Sequence, residues 1–262
     1  MPKAVDVVEH FVSRCDWVDR KITVDRVKAG DPNRKADRCL VTWMPSIQAI
    51  REAAARGIRL VVTHEPTFWD HYDDLSKLSK EGKDKLAFIN DNGLAIVRIH
   101  DTWDRWPKVG IPWAWAAFLG LGDEPFSISC RNYMHRYDIE PTTLDEFASR
   151  VAGRCAALGE PAVQVTGDGR HIVSRVGIGT GCASDVHVYR EMGCDVSIVS
   201  DDGSIYWREI QQASEAGHPV IRVNHGTSEE PGMVSLTKYI NEHIEGLTAE
   251  HLPHRCIFRI VS

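Results

Sequence analysis

Three short clusters in this chain bring imidazoles and carboxylates together: Thr63-His64-Glu65-Pro66, His100-Asp101-Thr102-Trp103-Asp104 and His225-Gly226-Thr227-Ser228-Glu229. Two of them have the form His-x-x-x-acid. Nitrogen and carboxylate donors without thiolate suit Zn, Mn, Fe or Co better than a soft-metal site. One ion with an open position needs only three protein ligands, so this many candidates points to two ions. Asp104 and Glu229 are of the type that bridges two cations roughly 3.5–4 Å apart, leaving a shared water or hydroxide as nucleophile. His64-Glu65 begins like the H-E-x-x-H zinc-protease helix, but Pro66 follows directly and the fifth position is Phe68.

Such clusters need a scaffold that presents them together, and a recurring pattern supplies one. Four times a helical stretch leads to a glycine suited to a C-cap, then to an apolar strand that ends on polar residues. Residues 49–56 lead through Gly57 and IRLVVT to His64, and residues 83–92 through Gly93 and LAIVRI to His100. Residues 186–192 lead through Gly193 and CDVSIV to Ser200-Asp201, and residues 211–216 through Gly217 and HPVIRVN to His225. Continuous Val- and Ile-rich runs suit strands of a mainly parallel sheet with helices on both faces. In such sheets ligand-binding residues gather beyond the carboxyl ends of the strands. One histidine at a strand end is ordinarily a residue leaving the core for water; several in register argue for a site.

The middle of the chain reads differently. Residues 126–142 are polar and irregular. Thr143-Leu144-Asp145-Glu146 then supplies a capping box for a helix with Phe147, Val151 and Leu158 on its apolar face. Residues 162–166 and 171–178 flank Gly167-Asp168-Gly169, a hairpin signal. The expected fold class is α/β: two similar, intertwined α/β halves with mixed, largely parallel sheets and helices on both faces. A soft boundary near residue 125 separates residues 1–125, with the first two clusters, from residues 126–262, with the His-x-x-x-Glu cluster.

Two further features admit two readings each. Gly177-Ile178-Gly179-Thr180-Gly181 follows a strand like a dinucleotide-binding turn, which would suit an oxidoreductase, but its third glycine falls one place early. A tight strand-to-helix turn is the favoured reading. Trp69 follows the first cluster, and Trp103, within the second, is followed by Trp106, Trp113 and Trp115; they are placed either to stack on a flat substrate or to pack in the core or an oligomer interface. The other histidines, among them His71, His135 and His218, show no paired spacing and read as surface or core residues.

Composition bounds the function classes. The 262 residues are 43% apolar and 26% charged, with a formal net charge of −6. No basic cluster stands out, which argues against a nucleic-acid or anionic-membrane binder. Seven scattered cysteines without a C-x-x-C pair read as free thiols in a reducing compartment. The longest apolar stretch, residues 111–121, is too short to span a bilayer, and the polar start is no signal peptide. The expected location is cytoplasmic.

The ordered motifs resemble those of the Nif-three-like (NGG-one-interacting-factor-three-like) family, many of whose members carry the description GTP cyclohydrolase I type 2 homologue. VVTHEPTFW is similar to the family's THHP…F segment, IHDTWD to its HTNLD segment and VNHGTSEEPGM to its GHYxSE…G segment. TTLDEFASRVA and RVGIGTG also fall where the family has similar stretches. The resemblance spans about residues 35 to 244. It implies metal ligands at His64, Asp104, His225 and Glu229, and it places Glu65 where the family has a second histidine. That exchange keeps a ligand but swaps neutral nitrogen for anionic oxygen, which shifts the expected preference from zinc toward manganese or magnesium. Residues 200–208, SDDGSIYWR, depart from the Gly-Glu and histidine that many members carry.

The combined expectation is a metal-dependent hydrolase with two divalent ions per chain (Zn, Mn, Fe or Mg). Its ligands are His64, Glu65, Asp104, His225 and Glu229, and a metal-bridging hydroxide is the nucleophile. If Glu65 does not bind metal it is the candidate general base, and His100 is a group behind the ligands or a proton shuttle. The resemblance further implies a small-molecule substrate of GTP cyclohydrolase type, such as a nucleotide, and a homo-oligomer, a hexamer. The competing class is a non-catalytic metal-binding assembly or regulatory protein.

Overall fold

The four predicted helix–glycine–strand units all form. The computed structural model describes residues 1–261. Helix α1 (Ala4–Val12) precedes strands β1 (Val27–Ala29) and β2 (Arg38–Thr42), helix α2 (Ile47–Ala55), strand β3 (Leu60–Thr63), helix α3 (Lys80–Asp91) and strand β4 (Ala95–Arg98). Next come α4 (Ile111–Leu119), β5 (Ser127–Ser129), β6 (Met134–Thr143), α5 (Leu144–Cys155), β7 (Gln164–Thr166) and β8 (Ile172–Ile178). The remaining elements are α6 (Val186–Glu191), β9 (Val196–Ser200), α7 (Gln211–Glu215), β10 (Val220–Val223), α8 (His225–His243) and β11 (Thr248–His251). Gly57, Gly93, Gly193 and Gly217 each end their helix at φ between 59 and 74°, the left-handed geometry that closes a helix and disfavours a side chain.

The chain forms two compact units, Met1–Asp104 with Met233–His254, and Arg105–Gly232 with the residues from Arg255 on. Helix α8 therefore starts in the second unit and ends in the first. The sheet of the first unit has the order β1-β4-β3-β2-β11. Strands β11, β2, β3 and β4 are parallel, and β1 runs antiparallel against β4. Thr42 pairs with Thr63 and Thr63 with Arg98, so the strands finish level and the residues that follow leave the sheet side by side. Ile50 and Ala53 of α2 and Ile89 of α3 bury against Leu40, Val61 and Ile96 of the strands.

The sheet of the second unit has the order β5-β6-β8-β9-β10-β7. Strands β8, β9 and β10 are parallel; β6 and β7 join them antiparallel. Ile198 and Val199, neighbours on β9, point to opposite faces. Ile198 joins a core with Trp115, Phe147 and Val151 from α4 and α5, whereas Val199 packs with Tyr189 and Ala213 from α6 and α7. Helices thus cover both faces, as the apolar strand runs require. Among the described residues no helix is long and apolar enough to cross a membrane.

Two local expectations are corrected. Residues 126–142 are not irregular: β5 and β6 occupy most of them, held by backbone pairing that needs no apolar alternation. The Gly167-Asp168-Gly169 segment does not close a hairpin, because β7 pairs with β10 while β8 lies between β6 and β9. Its loop is stapled elsewhere. Gly169 O and His171 O accept the amides of Asp145 and Leu144, donors that the first turn of α5 leaves without helical partners.

Candidate metal centre

In the first unit, β3 and β4 deliver two of the three clusters to one place. His64 and Glu65 follow Thr63, and His100 starts the turn that carries Asp104, whose amide bonds His100 O at 2.9 Å. His64 Nε2 lies 3.2 Å from Asp104 Oδ1, and His100 Nδ1 lies 3.3 Å from Asp104 Oδ2. The His64 and His100 rings stack at a centroid distance of 4.5 Å and 17° between planes. One donor atom from each of His64, His100 and Asp104 falls within 4.8 Å of the others, so this trio can hold an ion.

Protonation makes the fit more specific. His64 Nδ1 is 3.1 Å from Ile99 O, and a carbonyl only accepts, so the proton of neutral His64 sits on Nδ1. The Nε2 lone pair then faces the Asp104 carboxylate, two acceptors that repel unless a cation or proton lies between them. His64 is fully buried and Asp104 is 8% exposed, so water screens that repulsion poorly. This donor set fits a divalent ion.

Glu65, 9% exposed, stands 3.7 Å from Arg98 Nη2 and 3.9 Å from His100 Nε2. Arg98 is fully buried at the end of β4 and donates through Nε to His64 O at 2.7 Å. One guanidinium thus ties down the His64 backbone and offsets the Glu65 charge. His100 Nδ1 also lies 2.9 Å from Asp101 Oδ1. Burial lowers the His100 pKa, but the nearby Asp104 carboxylate and the Asp101 bond outweigh it and hold the imidazole above its ordinary value. Burial raises Asp101, yet bonds from His100, Thr23 and the Val24 amide hold its carboxyl well below the usual range.

In the second unit, His225 opens α8 and Glu229 follows one turn later, their Nε2 and Oε2 2.9 Å apart. The His225 amide donates to Asp201 Oδ1 at 2.5 Å, a carboxylate at a helix N-terminus, and His225 Nδ1 faces Asp202 Oδ2 at 3.6 Å. Both acids come from the segment after β9 that departs from the family pattern. The Gly177–Gly181 turn has a defined task here. Gly181 sits at φ 54°, and a Cβ there would meet Glu229 Oε1 at 2.7 Å and His225 Nε2 at 3.0 Å. The glycine leaves room for the histidine–carboxylate pair.

Several residues at the site carried no recognised sequence signal. Arg98 was hidden inside an apolar strand run, although a charged residue there is itself the anomaly. His71 places its ring edge-on to His100 at 5.8 Å. Asp25 accepts hydrogen bonds from the His100 turn and comes from a stretch that no motif marks. Trp103, Trp113 and Trp115 are buried core residues: Trp103 packs edge-on to Phe11 and Tyr239, and Trp113 on His135. Trp69 stays 59% exposed, with Lys85 Nζ 5.0 Å over its ring.

A sequence model of the Duf34/NIF3 (NGG1p interacting factor 3) family matches residues 22–256. Solved structures of low sequence identity share the fold along the whole chain. A Staphylococcus aureus hypothetical protein aligns at 16% identity and a TM-score of 0.76, covering 100% of both chains. A Bacillus cereus protein related to NIF3 aligns at 13% identity and 0.77, covering 100% of this chain and 99% of its own. Reduced HcgD from Methanocaldococcus jannaschii aligns at 18% identity and 0.71, covering 96% and 98%. No curated protein matches this chain.

Proposed function

This chain belongs to the Duf34/NIF3 family, and from that premise we propose that it is a metal-dependent hydrolase whose two divalent ions are held by His64, Glu65, Asp104, His225 and Glu229. The observation that carries the reading is the buried pair His64–Asp104, with acceptor atoms 3.2 Å apart and the far side of the imidazole committed to Ile99 O. When bound, such ions activate water and take up the charge that develops on a hydrolysed carbon or phosphorus centre.

The chain's own residues set up the rest. The Ile99 carbonyl keeps the His64 proton on Nδ1 and leaves Nε2 as the donor atom. Arg98 Nη2 stands 3.7 Å from Glu65 Oε2 and sets a buried positive charge beside its carboxylate. Where no ion takes up Glu65, it serves instead as the general base, with His100 Nε2, 3.9 Å from Glu65 Oε1, as the group that can relay the proton. His225 and Glu229 complete the ligand set, spaced one helical turn apart behind Gly181.

The family resemblance supports the finer reading: purine ring opening of GTP cyclohydrolase type on a nucleotide, in a cytoplasmic homohexamer. Turnover of purified, metal-loaded protein against GTP, other nucleotides and generic phosphoesters tests it. Hydrolysis well above that of the His64→Ala/Asp104→Ala double variant is expected. No turnover above that variant on any of them overturns the hydrolase in favour of a metal-binding assembly or regulatory protein.

A further inference from the structure

Strand β1 is the one antiparallel member of its sheet, so the residues that precede it arrive at the carboxyl end of β4, where the His100 turn begins. There the two segments clasp each other. Asp25, 1% exposed, accepts the amides of His100 at 2.7 Å and Asp101 at 2.8 Å on Oδ1. Its Oδ2 accepts the amide of Thr102 at 2.9 Å and the Thr102 hydroxyl at 2.6 Å. In return, Asp101 Oδ2 accepts the Thr23 hydroxyl at 2.7 Å and the Val24 amide at 3.1 Å. The other oxygen of Asp101 takes His100 Nδ1.

We propose that residues 23–25 form a positioning clasp for the divalent-ion centre, with Asp25 and Asp101 as its working residues; this rests on the metal reading above. A carboxylate that receives four donors, three of them consecutive amides, leaves the His100 turn a single backbone course. Asp104 sits on that same turn, bonded to His100 O. Asp101 acts on the ring: by accepting a hydrogen bond from Nδ1–H, it keeps that proton on Nδ1, leaves Nε2 as the open nitrogen and fixes the plane of His100. None of this is written in the His-x-x-x-Asp motif, because the clasp comes from 75 residues earlier in the chain.

The test is titration of the apo protein with Co²⁺ and Zn²⁺, read by bound-ion content, affinity and the Co²⁺ visible spectrum, with far-UV circular dichroism as the control for folding. Asp25→Asn turns one acceptor into a donor facing amide N–H groups. It is expected to weaken both ions by about 10–100-fold and to change the Co²⁺ spectrum. Thr23→Val, which removes one hydroxyl from Asp101 and is isosteric, serves if Asp25→Asn does not fold; a loss of about fivefold is expected. A folded variant of either kind with wild-type affinity and spectrum overturns the clasp. Wild-type protein that binds neither ion, or a His64→Ala variant that binds both as tightly, overturns the metal reading instead.

Discussion

At the scale of the residue, chemistry is decided by which atom faces which. Ile99 O and Asp101 Oδ1 choose the tautomers of His64 and His100, and Gly181 holds open the space that His225 and Glu229 fill. Gly181→Ala is therefore expected to act twice. A left-handed backbone position with a Cβ costs about 1 kcal/mol or more, and the new methyl displaces the ligand pair. Thermal unfolding should fall by a few degrees and bound metal should drop; retained metal content at wild-type affinity would refute the crowding argument. The clusters around His64, Asp104 and His225 stood out in the sequence because histidines and acids follow strand ends at repeated spacing; that they hold metal is the reading proposed above. Arg98 and Asp25 did not stand out. The first was masked by the apolar run around it, and the second acts on residues distant in sequence.

At the scale of the element, the helix–glycine–strand units were readable because each signal is local. A helix stops where a glycine takes a left-handed φ, and the short Val/Ile-rich run that follows suits a strand covered on both faces. The capping box of α5 was readable for the same reason. Thr143 Oγ1 accepts the Glu146 amide at 3.3 Å while Glu146 Oε2 accepts the Thr143 amide at 3.2 Å. Thr143→Ala should destabilise the protein by about 1 kcal/mol, roughly 2–4 °C in melting temperature for a chain of this size; calorimetry showing no change would contradict that. Strands β6 and β7 were harder to read. The register of β6 against β8 shifts between Asp138 and Thr142, which breaks the alternation a half-buried strand would show, and a glycine pair marks a turn without saying which strands it joins.

At the scale of the whole molecule, the chain leaves its first unit after Asp104 and returns to it within α8, at Met233. Such an exchange depends on contacts far apart in sequence, which periodicity does not encode. Buried histidines away from the metal motifs shape how stability depends on pH. Burial lowers His218 and His135 to about 4, and His218 Nε2 bonds Ser197 Oγ at 2.7 Å. With folded values below the unfolded value of about 6.5, the unfolded chain takes up protons first as pH falls. Stability is then lost from about pH 6.5 down to about 4, by up to about 3 kcal/mol per group. Urea midpoints at pH 7.5 and 5 should converge in His218→Gln relative to wild type; equal acid sensitivity in both would contradict this assignment.

The proposed chemistry depends on His64, Glu65, Asp104, His225 and Glu229 holding divalent metal. Anomalous scattering from crystals of the metal-loaded protein tests it most directly. Two ions per chain are expected, with His64, Asp104, His225 and Glu229 among their ligands. Ions that contact none of these four side chains, or no ordered ion in protein shown by elemental analysis to carry metal, would contradict it.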